Sequence, residues 1–351
     1  MRGRVTKSVN RPLRWSKLKL LKMCSRVVLI IKITQPREHT VSQSFQALIQ
    51  NATAQLNHVI LGKSNQVRLS LTALLAGGHL LLEDLPGMGK TTLAHGLANV
   101  MGLDYKRVQF TSDLLPADVI GATVFDAKDS EFQFRAGPIF SEIFLADELN
   151  RATPRAQSAL LEAMEERQVS IEGESYALPN PFFVIATQNP QSQSGTFPLP
   201  ESQLDRFLLR VSMGYPDPAA ERQLLMGKHG RGSLKAMQAC ISKEQLLEIQ
   251  ALVPKVKITD TLLDYIQRLV AQTRQRDLCL LGLSPRGALA LVRSSQSWAF
   301  IQGRDHVLPE DVQAVFVSVV GHRLVGRRET QGDQLARHIL NSVDVVGGMG
   351  V

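Results

Sequence analysis

Aromatic residues and cysteines are scarce in this chain, and its apolar runs are short. Phe, Tyr and Trp make up 5% of the 351 residues, which predicts a mainly aliphatic core. The three cysteines, Cys24, Cys240 and Cys279, have an odd count and no metal-ligand spacing, so we expect neither a disulfide framework nor a zinc site. The apolar run Val27–Ile31 is too short to cross a bilayer. These absences favour a cytoplasmic globular protein long enough for two domains.

Acidic residues are absent from positions 1–37, which hold 11 basic residues. Since the whole chain has 40 basic and 32 acidic residues, residues 38–351 hold 29 basic and 32 acidic residues, a net charge of −3. The basic character therefore belongs to a tail, residues 1–41. This tail is interpreted as a disordered arm that binds nucleic acid or acidic lipid, as an organelle-targeting segment, or as an over-extended translation start. We favour the last, with the native chain beginning near Val41, because the composition shifts abruptly there.

A strand, a glycine-containing loop and a helix follow one another around residue 87. The apolar run Leu80–Leu82 precedes the loop, and Gly89-Lys90-Thr91 opens the helix, the context typical of a phosphate loop. Backbone N–H groups at a helix N-terminus bind phosphates, and we expect a Cβ at Gly87 or Gly89 to obstruct that approach. Lys90 is expected to reach the β- and γ-phosphates and Thr91 to offer its hydroxyl to Mg²⁺. The residues predicted to bind nucleotide are Asp84, Leu85, Pro86, Gly87, Met88, Gly89, Lys90, Thr91 and Thr92.

Asp84 departs from the general pattern GxxxxGK[ST], whose first position is glycine. On the tripeptide alone, a plain strand-to-helix turn therefore remains an alternative. Residues further along the chain decide between the two interpretations.

Polar side chains end two later strands. The run Ile143–Glu148 closes with two carboxylates, Asp147 and Glu148, and the apolar run Phe182–Thr187 is followed by Asn189. Ligands bind at the carboxyl edge of parallel strands, so Asp147 is expected to hold Mg²⁺ and Glu148 to deprotonate the attacking water. Adjacent strand residues point in opposite directions, so the strand must end here if both are to reach one site. Asn189 is expected to hydrogen-bond the γ-phosphate or the water.

A domain boundary is predicted at Pro216–Pro218, because the pattern becomes helical beyond it. We expect an αβα core over residues 42–215, a helical lid over 216–345 and a frayed terminus over 346–351. Ser284-Pro285 is a typical helix start and puts Arg286 in the first turn. A cation there opposes the helix dipole by roughly 0.3–1 kcal/mol unless an anion compensates, which points mildly to function. The lid helices are expected over Ala219–Met226, Lys243–Leu252, Thr259–Arg274, Pro285–Gln302 and Pro309–Leu324.

Several blocks occur in an order that resembles the MoxR family of AAA+ ATPases, over roughly residues 45–345. The blocks are Leu81–Thr92, Gln109–Asp118, Gly137–Phe140, Ala146–Arg151, Gln157–Met164, Ala186–Pro190, Leu199–Phe207 and Gly282–Arg286. The resemblance implies an α/β fold with about five parallel strands, a small all-α lid, and nucleotide in the cleft between them. By position, Lys90 and Thr91 match the Walker A residues, Asp147 and Glu148 match Walker B, and Asn189 resembles sensor 1.

Arginines are assigned by the same resemblance. Arg206 is similar to the arginine finger, which acts on ATP bound by the neighbouring subunit, and Arg286 is similar to sensor 2. Arg151 resembles a second contact between subunits. The segment Ala122–Phe134 is similar to the insertion in helix 2 of this clade, and Gln168–Leu178 to its second hairpin. Both are expected to face the pore or the client.

The resemblance also implies cofactors and partners. The cofactors are ATP and Mg²⁺, and the assembly is a homo-oligomer, by family habit a hexamer. Family members act as chaperone-like motors that mature metalloenzymes and other complexes, commonly with a partner that contains a von Willebrand factor A domain. Neither nucleic-acid binding nor a stable membrane span is expected.

Three other interpretations stay open. A nucleic-acid motor is disfavoured by the net charge of −3 over residues 38–351 and by the lack of an aromatic-basic stripe. A nucleotide-gated scaffold without turnover is disfavoured because Glu148, Asn189, Arg206 and Arg286 are all present. A metal-chelatase motor subunit is disfavoured by which motif blocks match.

Overall fold

The architecture is taken from a computed structural model that describes residues 36–128, 130–189, 195–227, 234, 236–327 and 331–346. The first helix, α1, covers Pro36–Val59, so it begins inside the predicted tail, and residues 1–35 lie outside the described part. The predicted frayed terminus lies outside it as well, apart from residue 346.

A five-stranded parallel sheet positions the site. Its strands are β1 (His79–Glu83), β2 (Tyr105–Gln109), β5 (Ile143–Asp147), β8 (Phe183–Gln188) and β9 (Phe207–Val211). The spatial order is β2-β5-β8-β1-β9, so the strands that precede the predicted site residues are neighbours. Strands β1, β5 and β8 are almost continuously buried, as expected for a parallel sheet covered on both faces. The predicted fold class is confirmed.

Helices cover the sheet and build most of the lid, which also contains one short antiparallel pair, β10 (Cys279–Leu281) and β11 (Val325–Gly326), and so is not purely α-helical as predicted. The helices are α2 (Ser64–Leu75), α3 (Lys90–Met101), α4 (Pro116–Ile120), α5 (Pro154–Glu166), α6 (Glu201–Leu204), α7 (Pro218–Leu225), α8 (Lys243–Leu252), α9 (Asp260–Thr273), α10 (Pro285–Ile301), α11 (Pro309–Val320) and α12 (Gly332–Ser342). Among the described residues, no helix has the length and apolarity that a membrane span needs.

Side-chain caps explain where two of these helices begin. The Thr153 hydroxyl accepts the N–H of Ala156 at 3.4 Å, and the Ser284 hydroxyl accepts the N–H of Gly287 at 2.9 Å. Proline follows each cap, where its missing N–H costs nothing. Both starts agree with the sequence pattern.

Core and lid share apolar packing across the predicted boundary at residue 216. Leu74 of α2 and Leu80 of β1 belong to the same buried cluster as the lid residues Leu246, Leu291 and Phe316. The contacts of the chain from Phe45 onward also group it as one unit. The lid is therefore packed onto the core in this state.

Two antiparallel hairpins project from the sheet connections. Strands β3 (Gly121–Asp126) and β4 (Glu131–Ala136) pair in one, and β6 (Gln168–Ile171) and β7 (Glu174–Ala177) pair in the other. Both segments agree with the predicted insertions. The rings of Phe134 and Tyr176 stack with centroids 4.0 Å apart, which joins the two hairpins.

An ion pair between a half-buried aspartate and a buried arginine connects the core to the lid. Arg323, which is 5% exposed, donates from Nε to Asp205 Oδ1 at 2.6 Å and from Nη2 to the carbonyl oxygen of Phe207 at 2.6 Å. The Ser284 hydroxyl donates to the other Asp205 oxygen at 3.0 Å. Asp205 thus bonds both the turn that follows α11 and the start of α10.

We predict that Asp205→Ala lowers the free energy of unfolding by roughly 3–5 kcal/mol, because it leaves the Arg323 guanidinium buried without its counter-charge. Urea unfolding followed by circular dichroism measures the change. The matched control is Asp277→Ala at an exposed turn, which should stay within about 0.5 kcal/mol of the native chain. Equal unfolding midpoints for the two variants would contradict the prediction.

Candidate nucleotide site

The backbone conformation of the loop between β1 and α3 requires glycine at two positions. Gly87 has φ 83° and Gly89 has φ 88°, in the left-handed region that residues with a side chain rarely adopt. A Cβ placed on either glycine meets no protein atom within 4 Å. The positive φ therefore requires glycine here, and the obstruction of a phosphate by a Cβ stays a prediction.

Asp84 connects this loop to the segment that follows β9, the edge strand beside β1. Its carboxylate accepts the N–H of Leu85 at 2.8 Å, the Ser212 hydroxyl at 3.1 Å and the N–H of Gly214. Ser212 and Gly214 follow β9. A carboxylate at this position therefore replaces the usual glycine with a tether, which explains the departure from the general motif.

A cleft of about 320 Å³ opens at the carboxyl edge of the sheet. Because β1, β5 and β8 are adjacent and parallel, their ends bring the phosphate loop, the two carboxylates and the amide together. The lining residues are Pro86, Gly87, Gly89, Lys90, Thr91, Thr92, Arg107, Gln109, Asp147, Glu148 and Asn189. Asp84 and Leu85 are not among them, and Met88 lines a neighbouring cavity.

Lys90 is half-buried at the base of the cleft. Its amine donates to the carbonyl oxygens of Asp84 and Leu85, the latter at 3.3 Å. Burial lowers the pKa of Lys90, while the carboxylates of Asp84, Asp147 and Glu148 act to raise it. An added anion in the cleft would favour the charged amine in the same way.

A sharp turn lets Asp147 and Glu148 face one cleft. Strand β5 ends at Asp147, and Glu148 has a left-handed backbone with φ 58°. Thr187 joins the pair, since its hydroxyl donates to Asp147 Oδ1 at 2.6 Å and accepts the N–H of Glu148 at 2.8 Å. The strand therefore ends at Asp147, as predicted for two adjacent carboxylates that share one site.

Two cleft residues on β2 were not singled out from the sequence. Arg107 donates from Nε and Nη2 to Asp147 Oδ2, at 3.0 and 2.7 Å. Gln109 donates to Glu148 Oε2 at 2.8 Å, and Arg151 donates to the same oxygen at 3.2 Å. The available signal was the strand period of two, which puts residues 107 and 109 on one face.

The donor set of the cleft suits Mg²⁺. The Thr91 hydroxyl and the Asp147 carboxylate are hard oxygen ligands. Asp147 forms an ion pair with the guanidinium of Arg107 in this structure. Within the described part of the chain, no group of three His, Cys, Asp or Glu side chains could hold a metal ion.

An apolar cavity of about 400 Å³ adjoins the cleft and shares Gly87, Gly89 and Thr92 with it. Its apolar lining is Val59, Ile60, Leu61, Met88, Pro216, Leu224 and Leu234. A flat apolar group attached to phosphates in the cleft could enter it. The sequence pattern did not predict this cavity, because its walls come from three distant segments.

The two remaining arginines lie on one carboxylate. Arg206 Nη2 is 2.9 Å from Glu165 Oε2, and Arg286 Nη1 is 2.9 Å from Glu165 Oε1. Glu165 is therefore the anion that offsets the cation in the first turn of α10. Neither arginine is among the residues that line the cleft.

Comparisons with known proteins agree with this geometry. Residues 79–209 match the ATPase family associated with various cellular activities (AAA), and residues 271–342 match the AAA lid domain. Chaperone MoxR1 of Mycobacterium tuberculosis is 38% identical over 301 residues, covering 83% of this chain and 79% of MoxR1. The chain belongs to the MoxR family of AAA+ ATPases.

Two other proteins are similar over most of the chain. The uncharacterised protein YeaC of Bacillus subtilis is 43% identical over 308 residues, covering 86% of this chain and 96% of YeaC. The crystal structure of a proposed ATPase from Cytophaga hutchinsonii superposes with a TM-score of 0.80 at 37% identity, covering 87% of this chain and 97% of that one. The family predicted from the motif blocks and the order of core and lid are confirmed.

Proposed function

We propose that this MoxR protein binds ATP with Mg²⁺, hydrolyses it, and uses the cycle to remodel other proteins in the cytoplasm. The observation that carries the proposal is the single cleft that contains Lys90, Thr91, Asp147, Glu148 and Asn189. Those residue types serve phosphate binding, metal binding and water activation in phosphoryl transfer. The adjoining apolar cavity supports a nucleotide, because it offers room for a base beside the phosphates.

The proposed roles follow from the groups in the cleft. The N–H groups at the start of α3 and the Lys90 amine hold the phosphates. Thr91 and Asp147 would hold Mg²⁺, which when bound neutralises charge on the β- and γ-phosphates. The oxygen of a water attacks the γ-phosphorus and the bond to the β-γ bridging oxygen breaks. The Glu148 carboxylate takes the proton of the water, and Asn189 orients it.

The γ-phosphate also needs a cation from a second subunit in this proposal. Arg206 pairs with Glu165 and does not line its own cleft, which supports a role toward a neighbouring site, and Arg286 is proposed as the sensor 2 residue. Such a contact makes hydrolysis depend on assembly, and the family habit suggests a hexameric ring. Arg151, half-exposed beside Glu148, is proposed as a second contact between subunits.

The first hairpin supports contact with a client. Phe125 is 52% exposed and Phe132 is 73% exposed, with their ring centroids 5.3 Å apart. Exposed paired aromatics suit the capture of apolar segments. We propose a client protein, a separate partner with a von Willebrand factor A domain, and a role in the maturation of metalloenzyme complexes.

The test of this function is ATP turnover by the full chain as a function of protein concentration, with mass measured by size exclusion in ATP and in ADP. Turnover that rises more than linearly, together with a ring in ATP, is the expected result. Tight ATP binding without turnover would favour the nucleotide-gated scaffold. Failure to bind ATP would overturn the proposal.

We predict that Lys90→Ala abolishes ATP binding and turnover, because it removes the cation at the phosphates. Equilibrium binding of a fluorescent ATP analogue measures the loss. The matched control is Lys128→Ala in the turn of the first hairpin, which removes a charge outside the cleft and should leave affinity unchanged. ATP affinity retained in Lys90→Ala would contradict the phosphate-loop assignment.

A further inference from the structure

Arg107 holds the carboxylate that is proposed to hold the metal. It lies on β2, the edge strand beside β5, and its side chain is 48% exposed inside the cleft. Two of its nitrogens, Nε and Nη2, donate to the same oxygen, Asp147 Oδ2, at 3.0 and 2.7 Å. Nη2 also donates to the side-chain oxygen of Gln109 at 3.1 Å.

Asp147 has little remaining capacity for another cation. Both lone pairs of Oδ2 are used by Arg107, and Oδ1 accepts the Thr187 hydroxyl at 2.6 Å. The carboxylate side chain is 10% exposed. A divalent cation at Oδ2 would also be repelled by a guanidinium bound to the same atom. Arg107 and a metal ion therefore compete for Asp147.

We propose that Arg107 is an exchangeable counterion in the nucleotide site. It pairs with Asp147 while no divalent cation is bound, and it leaves that carboxylate for solvent when the metal-nucleotide complex enters. The inference rests on the proposed function. Arg107 lines the same cleft as Lys90 and Thr91, and its side chain is already half exposed, so it can leave Asp147 without being buried elsewhere.

This exchange has two consequences of opposite sign. Without Arg107, Asp147 and Glu148 face the phosphates with less compensation, so nucleotide binding in the absence of metal weakens. Without the competing guanidinium, Asp147 is open to a cation, so less Mg²⁺ is needed. A residue that only supported the strand would not separate these two effects.

The experiment uses the full chain and a fluorescent non-hydrolysable ATP analogue. Affinity is measured in EDTA, and the half-saturating Mg²⁺ concentration is measured at a fixed analogue concentration. For Arg107→Gln we expect weaker binding in EDTA and a half-saturating Mg²⁺ concentration lowered roughly 2- to 5-fold, as for a partly exposed ion pair. Arg107→Lys keeps the charge but loses the fork, so its values should lie between those of the native chain and Arg107→Gln.

Lys106→Gln is the matched control, since it removes the same charge from the neighbouring residue of β2, which is exposed and does not line the cleft. Its half-saturating Mg²⁺ concentration should stay at the native value. An equal decrease in Lys106→Gln would mean a general field effect and overturn the exchange. An unchanged or higher Mg²⁺ requirement in Arg107→Gln would also overturn it.

Analogue binding by the native chain distinguishes a failure of the exchange from a failure of the proposed function. If the native chain binds the analogue with Mg²⁺ and Arg107→Gln shows no shift, the exchange fails and the proposed function stands. If the native chain does not bind the analogue, both fail. If circular dichroism shows that Arg107→Gln is unfolded, the position of Arg107→Lys relative to the native chain decides.

Discussion

Arg206→Ala is expected to bind ATP with native affinity and to have a turnover rate about 10³–10⁵-fold lower, which is the usual contribution of an arginine finger to kcat. The physical reason is that negative charge develops on the γ-phosphate in the transition state, and a guanidinium there stabilises it. In the isolated chain Arg206 is 2.9 Å from Glu165 and does not line its own cleft, so its absence should not alter ATP binding. Fluorescent-nucleotide titration and a phosphate-release assay measure the two quantities.

A mixing experiment tests whether Arg206 acts between subunits. Lys90→Ala subunits bind no ATP but keep Arg206, so mixing them with Arg206→Ala subunits should restore part of the turnover. Arg276→Ala, an exposed arginine in a lid turn, is the matched control and should keep native turnover alone. Absence of restored activity at every mixing ratio would favour a role within one subunit.

Glu148→Gln is expected to bind ATP, keep an assembled ring and lower turnover by about 10²–10⁴-fold, the usual worth of a general base. Glutamine has nearly the shape of glutamate but cannot take the proton of the attacking water. Glu148 is placed for that task by its left-handed backbone and by Gln109 at 2.8 Å. Single-turnover hydrolysis, with mass measured in ATP, gives both readouts.

The control for this variant is Glu166→Gln, an exposed glutamate at the end of α5. It should leave turnover and assembly at native levels. Native turnover in pure Glu148→Gln would exclude Glu148 as the base, and loss of ATP binding in that variant would show a structural role.

Much of the core follows from local pattern and chain topology. A strand, a glycine turn and a helix with Lys90 define the phosphate loop, and the apolar run before Asp147 defines a buried strand. Once these strands are parallel neighbours, their ends must meet at one edge. The family was likewise readable, since its motif blocks are short and contiguous. The lid helices follow from caps such as Ser284, whose hydroxyl bonds the N–H of Gly287 at 2.9 Å.

The sequence by itself thus determined the fold class, the family and the residues of the cleft that lie next to strand ends. Only the tertiary structure decided which charges pair. Arg107 meets Asp147 because β2 lies beside β5 in one register. Arg286 meets Glu165 because the lid packs onto the core, and Arg206 meets it because the residue before β9 lies beside the end of α5. Spacing along the chain does not encode these contacts. They depend on register and packing between distant segments, and a shift of a single residue on a strand would turn each side chain to the opposite face.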